Sequence, residues 1–194
     1  MLSQFTWDDK LYVPVGSHAF LGASTYSRWW NKTPEDVYNL YQNIKAKERG
    51  TKLHSMAAED IRMKMLRPKN NQTFNKYVND AINFGMRPEQ QLYFSPYTFG
   101  TTDAISFDGN KLRIHDLKTG ITEPSMHQLE AYAAYFFLQY GTRYGFTPKD
   151  IDMELRLYWN DQIVSAKPLA EEIQVTMNKL IQHDSYLSKK EQYE

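Results

Sequence analysis

The chain has 194 residues, 41% of them hydrophobic, which suits one ordered domain with a real core. It carries 23 Lys and Arg against 23 Asp and Glu, so it lacks the global basic field that marks many nucleic-acid-binding proteins. Cysteine is absent, which excludes disulfides, Cys-ligated zinc, a thiol nucleophile and a thiolate-held iron–sulfur cluster.

Residues 1–16 show no basic segment followed by an apolar one, so they do not read as a signal peptide. The longest apolar stretch, residues 131–138, is far short of the roughly 20 residues that span a bilayer. The expectation is a soluble, cytoplasmic protein with no membrane partner. Residues 1–31 are mixed, with Trp7, Trp29 and Trp30 among Gly and Ser.

A helix opens at Thr33-Pro34-Glu35-Asp36, where a Thr cap, a first-turn proline and two acids suit exposed amide groups. Val37, Leu40, Tyr41 and Ile44 continue it as one apolar stripe. Gly50 is expected to break or bend this helix. A second helix over about 51–66 carries Leu53, Ala57, Ile61 and Met65, and Pro68 closes it. Between Lys45 and Lys76 lie nine basic side chains and three acids, a local excess of six. Such a run is either a solvated face or a phosphate-facing patch on a neutral body.

Residues 69–90 are polar and weakly patterned, and suggest a short helix in an insertion. The period then changes to two. Short strands are expected over 91–95, 102–107 and 111–118, the last two joined by the turn Asp108-Gly109-Asn110. A helix over about 124–140 follows, carrying Met126, Leu129, Ala133, Phe136, Phe137 and Tyr140. Next comes an alternating strand, with Ile151, Met153, Leu155, Leu157 and Trp159 on one face. Asn160-Asp161 turns into a strand at 162–166; a last helix spans about 168–186, and the tail 188–194 is expected to fray. The order is that of a mixed α/β protein, taken as a single domain over 1–194.

The chemistry concentrates on the hairpin. Strand alternation puts Leu112, Ile114, Asp116 and Lys118 on one face, and Asp103 shares its face with Ile105 and Phe107. A carboxylate and an ammonium at the end of a buried face must be paired or ligated. A turn centred on residue 109 brings Asp103 near 115–116, so two carboxylates and a lysine converge. Oxygen donors of this kind suit Mg2+ or Mn2+, and with such an ion they suit phosphodiester hydrolysis.

The segments Gly100-Thr101-Thr102-Asp103 and Asp116-Leu117-Lys118-Thr119, followed by Gln128-Leu129-Glu130-Ala131-Tyr132, resemble the PD-(D/E)XK nuclease superfamily. The likeness is closest to its RecB-type exonuclease branch, including stand-alone phage exonucleases. The upstream Gly50-Thr51-Lys52-Leu53-His54, with Glu59 soon after, adds to it. It covers about residues 24–160.

The resemblance implies a restriction-endonuclease-like αβββαβ core, a mixed sheet flanked by helices, with an N-terminal extension and a C-terminal strand and helix. It implies a Mg2+- or Mn2+-dependent DNA nuclease, an exonuclease of recombination, repair or phage DNA processing. Asp103 and Asp116 would hold the metal with the Leu117 carbonyl and His54. Lys118 would act on the attacking water or the transition state, and Gln128 and Tyr132 would position the phosphate or brace Lys118. Implied partners are single- or double-stranded DNA and a single-strand annealing or other recombination protein, in the host cytoplasm if the chain is phage-encoded. An iron–sulfur cluster, present in some relatives, is excluded by the missing cysteines. Arg49, Lys52, Arg62 and Arg67 are the candidate backbone contacts. Trp29 is a candidate for stacking unpaired bases or, equally, a core residue. Two other readings stay open: a non-catalytic nuclease-fold module that binds nucleic acid or protein, and a structure-specific DNA or RNA endonuclease.

Overall fold

A computed structural model describes residues 18–120 and 122–191. The chain divides into two units, residues 1–47 and 48–194. In the first, a 3-10 segment, Ala23–Arg28, precedes the start of helix α1 (Pro34–Met63). Thr33 caps α1 as expected: its Oγ1 accepts the Asp36 N–H at 3.2 Å, and Asp36 returns a carboxylate to the Thr33 N–H.

The second unit holds the rest of α1, then α2 (Thr73–Asn83), β1 (Arg87–Ser95), β2 (Thr98–Phe107) and β3 (Lys111–Leu117). Helix α3 (His127–Phe136) runs into a π-helical turn, Phe137–Gly141, and a three-residue helix α4 (Thr142–Tyr144). Strands β4 (Asp152–Trp159) and β5 (Gln162–Ala166) and helix α5 (Ala170–Glu191) complete it. The five strands form one sheet in chain order. All neighbours are antiparallel except β3 and β4, which the α3 crossover makes parallel. The fold is therefore mixed α/β, a five-stranded mixed sheet flanked by helices. No helix among the described residues is long and apolar enough to cross a membrane.

Each sheet face has its own core. Leu112, Ile114, Leu155 and Leu157 pack with Leu129, Ala133 and Phe137 of the α3 segment and Ile173 of α5. On the other face Ala104, Leu117 and Tyr158 meet Ala57 and Ile61 of α1 and Tyr77, Val78 and Ala81 of α2. That second face of β4 also carries Glu154 and Arg156. Arg156 reaches Asp80 of α2 at 3.2 Å and Glu154 at 2.8 Å, so α2 covers paired charges as well as apolar groups.

Three expectations need correction. Helix α1 runs unbroken through Gly50 and ends at Met63, before Pro68. An interior glycine costs only about 1 kcal/mol relative to alanine, less than the tertiary contacts around it supply. The stop is Lys64 at φ 56°, with Lys64 N–H on the Ile61 carbonyl and Met65 N–H on the Asp60 carbonyl, a left-handed cap on a non-glycine residue. Residues 69–90 are no insertion, because α2 supplies Tyr77, Val78 and Ala81 to one core and β1 already starts at Arg87. The last helix continues to Glu191, past the expected fraying point.

Candidate active site

The two hairpin turns set the register on which the site depends. Gly109 takes φ 95°, while Asp108 accepts the N–H groups of Asn110 and Lys111 at 3.0 and 2.8 Å. The β2–β3 ladder then runs from Phe107 opposite Leu112 to Ala104 opposite His115, and there it stops. Beyond that point the Asp103 carboxylate takes over the backbone's role, its Oδ2 accepting the Leu117 N–H at 2.9 Å. On the other side, the β1–β2 ladder skips Glu89 and Asp103 between the pairs Pro88–Ala104 and Gln90–Thr102, and Glu89 sits at φ 51°. Asp103 therefore occupies a gap in the sheet. A gap of this kind at a sheet edge re-aims a side chain.

Four elements converge at this gap. His54 of α1 places Nδ1 3.1 Å from Asp103 Oδ2. Asp116 on β3 is 2% exposed, and Lys118 Nζ lies 2.9 Å from its Oδ2. That ion pair is the one polar contact of the buried oxygen among the described residues. Lys118 Nζ also donates to Gln128 Oε1 at 2.6 Å, and Gln128 Nε2 donates to the Tyr132 hydroxyl at 3.3 Å. Gln128 and Tyr132 stand one turn apart on α3, as their i, i+4 spacing requires.

The electrostatics follow from burial. Asp116 is held above the usual carboxylate range, first by burial and then by the Asp103 charge, with Lys118 opposing both. His54 is raised by its hydrogen bond to Asp103, against the opposing effect of burial. Tyr132 is raised, chiefly by burial. Two carboxylates, one of them buried, thus share one centre with the Lys118 ammonium as their nearest positive charge.

Two glycines let these elements approach. A Cβ at Gly50 would lie 2.8 Å from Thr119 Oγ1, and one at Gly100 would lie 2.9 Å from Tyr132 Cε1. Both positions need the missing side chain for close packing. The strand carrying Lys118 is also pinned from β4: Lys118 N–H donates to the Tyr158 carbonyl at 2.9 Å, and Trp159 Nε1 to the Gly120 carbonyl at 2.8 Å. Behind Asp116, His115 is fully buried, with Nδ1 3.2 Å from the Tyr158 hydroxyl, which itself donates to Asp80 at 2.7 Å. Burial, and then Arg156, push the His115 pKa down to about 3, so it stays neutral. Sequence reading quoted Thr119 without a role and missed Tyr158 and this backing network. The only signal for the network was a tyrosine near the end of an apolar strand.

His54, Asp103, Asp116, Leu117, Lys118, Gln128 and Tyr132 are thus brought together. The candidate backbone contacts are dispersed. Arg67 is held bidentately by Asp60, with bonds of 2.7 and 2.8 Å, and Arg62 is paired with Glu89. Arg49 and Lys52 are exposed on α1 and have no ion-pair partner among the described residues. Glu59 is exposed and bonded to none of the site residues. Trp29 belongs to the first unit, where its Nε1 donates to the Gly22 carbonyl at 3.2 Å. No family model matches this chain, and no curated protein is significantly similar to it.

Proposed function

We propose that this protein is a divalent-metal-dependent DNA nuclease of the PD-(D/E)XK type, acting as an exonuclease. The observation that carries the reading is the meeting of Asp103, Asp116, Lys118, Gln128 and Tyr132 at one gap in the sheet. The antiparallel run β1–β2–β3, the α3 crossover and the parallel β4 agree with a restriction-endonuclease-like core.

Asp103, Asp116 and the Leu117 carbonyl would hold Mg2+ or Mn2+. Among the described residues no three His, Asp or Glu side chains stand ready as a metal cluster, so His54 would have to turn toward the ion or the Leu117 carbonyl would supply a further donor. When bound, such an ion offsets charge on a scissile phosphate and makes water a better nucleophile. His54, hydrogen-bonded to Asp103, fixes that carboxylate's orientation from the helical side and can complete the donor set by rotating off it. Asp116 is buried and needs a counter-charge; in this structure Lys118 provides it. Lys118 also carries the proton-donating groups that face the phosphate, and Gln128 keeps its ammonium from swinging into solvent. Tyr132 holds the amide of Gln128 in the matching orientation.

The test is cleavage of linear and covalently closed circular DNA with Mg2+, Mn2+ or EDTA. Linear DNA should be degraded with either ion and left intact with EDTA, and closed circles should survive. Lys118→Ala and Asp116→Asn should each lower the rate by a factor of about 100 or more, the usual scale for a lost transition-state contact. Full activity in Lys118→Ala would refute the assignment. The second reading is a nuclease-fold module that binds nucleic acid without cutting it. It is favoured by the ion pairs that already occupy both carboxylates. Salt-dependent DNA binding without cleavage would select it.

A further inference from the structure

A well-formed cavity of the second unit lies away from the candidate active site. It is a cleft of about 530 Å3 beside β1, β2 and the π-helical turn, a volume within the range of small-molecule sites. Its wall is a run of mutually contacting rings. Phe107 meets Phe136 and Phe146 at centroid distances of 5.0 and 5.4 Å, Phe136 meets Tyr140 at 5.3 Å, and Tyr140 meets Tyr144 at 6.2 Å. Tyr144 is 62% exposed and Phe107 37% exposed, so the wall opens to solvent. At the mouth, a Cβ at Gly85 or Gly109 would meet nothing within 4 Å.

Polar groups in and around the cleft lack partners. Arg87 lines it, is exposed, and has no ion-pair partner among the described residues. Arg143 stands 5.3 Å over the Tyr144 ring and likewise has no ion pair. An apolar aromatic wall flanked by two unpaired guanidiniums suits a planar ring that carries an anion. A ligand without an anionic group would leave both cations unanswered, and one without a ring would leave the aromatic wall without a stacking partner.

We propose that this cleft binds one nucleotide unit, with its base against the aromatic wall and its phosphate on Arg87 and Arg143. Naming the ring-bearing anion a nucleotide rests on the phosphodiesterase reading above. Ile105 and Phe107, which line the cleft, lie on the same strand as Asp103. Four residues of β2, about 13 Å, separate Phe107 from Asp103. A nucleotide chain with one phosphate at Asp103 and Asp116 therefore has another unit within reach of the cleft. The unit is either a free mononucleotide, as an exonuclease releases, or one residue of a bound strand.

The test is an NMR titration of the full chain in EDTA, where no cleavage occurs, with dAMP in one arm and a thymidine octanucleotide in the other. Saturable shifts at Phe107, Tyr140 and Phe146 are expected. Saturation by dAMP assigns the cleft to free nucleotides, and saturation by the octanucleotide alone assigns it to a strand. Arg87→Glu and Tyr144→Ala change exposed side chains, and each should weaken binding about tenfold or more. Asp116→Asn should leave binding at the cleft unchanged. The proposal is overturned if neither ligand shifts the cleft resonances. It is equally overturned if both cleft variants bind as the wild type does, or if Asp116→Asn abolishes the shifts. Failure of the phosphodiesterase reading appears separately, as absent cleavage with Mg2+ or Mn2+ while the cleft still binds dAMP.

Discussion

Gly100 shows how much one missing atom does at this site. Its position is three residues before Asp103, and an added Cβ would lie 2.9 Å from Tyr132 Cε1, closer than carbon atoms pack. In Gly100→Ala the Tyr132 ring must move, and the Tyr132–Gln128–Lys118 chain moves with it. Overpacking of this kind costs about 1–3 kcal/mol. We expect Gly100→Ala to remain folded, with a Tm a few degrees lower, and to lose turnover more than substrate affinity. Steady-state kinetics on linear DNA, with circular dichroism melting as the control, check this. Unchanged turnover would separate Tyr132 from the chemistry. At this scale the sequence was legible in letters but not in causes. Asp103, Asp116, Lys118, Gln128 and Tyr132 could be chosen by pattern. That Gly50 and Gly100 exist to admit Thr119 and Tyr132 could not, because the contacts join residues far apart in the chain.

At the level of elements, strands were easier to read than helices. Alternation in β3 and β4, and the turns at Gly109 and at Asn160-Asp161 with φ of 47° and 58°, are local properties, and local chemistry fixes them. Helix α2 was obscured because its core side is an aromatic and two small aliphatics, Tyr77, Val78 and Ala81, set among asparagines. Its start is fixed from a distance: Asp161, in the β4–β5 turn, accepts the Thr73 N–H at 2.8 Å and the Thr73 hydroxyl at 3.0 Å. These bonds hold the Asp161 carboxyl below its ordinary value, first through the Thr73 N–H. A depressed carboxylate pKa gives stability that is present above the unfolded-state value. It is lost as pH falls through the folded-state value. Urea unfolding of wild type and Asp161→Asn across pH 2–7 should therefore show the wild type more stable from about pH 5 upward, with the gap closing below about pH 4. A gap that does not change with pH would show that the carboxylate's charge is not what anchors α2.

For the molecule as a whole, the proposed function requires a chain of zero net charge to engage a polyanion. Nine basic side chains between residues 45 and 76 read either as a solvated face or as a phosphate-facing patch, yet the fold uses some of them internally. Arg67 holds Asp60, which is only 4% exposed, and its main chain exchanges hydrogen bonds with the Asn79 side chain, tying the α1–α2 connection to α2. Lys76 donates to the Asp161 carbonyl at 2.8 Å, and Arg62 is paired with Glu89. A sum of charges along the sequence cannot see these partners, because Glu89 and Asp161 lie outside the window. Two substitutions separate structural from DNA-facing cations. Removing Arg67 leaves a buried carboxylate unpaired, a change that costs about 3–5 kcal/mol. Arg67→Ala should thus lower the unfolding midpoint markedly, and below that midpoint it should keep the wild-type salt dependence of DNA binding. Lys52 is exposed and unpaired among the described residues. Lys52→Ala should leave stability within about 0.5 kcal/mol of wild type. It should also reduce the slope of log K against log salt by about one, the signature of one lost phosphate contact. If instead Arg67→Ala flattens the slope and Lys52→Ala does not, the phosphate path runs along the α1–α2 connection and Asp60 yields Arg67 to DNA on binding.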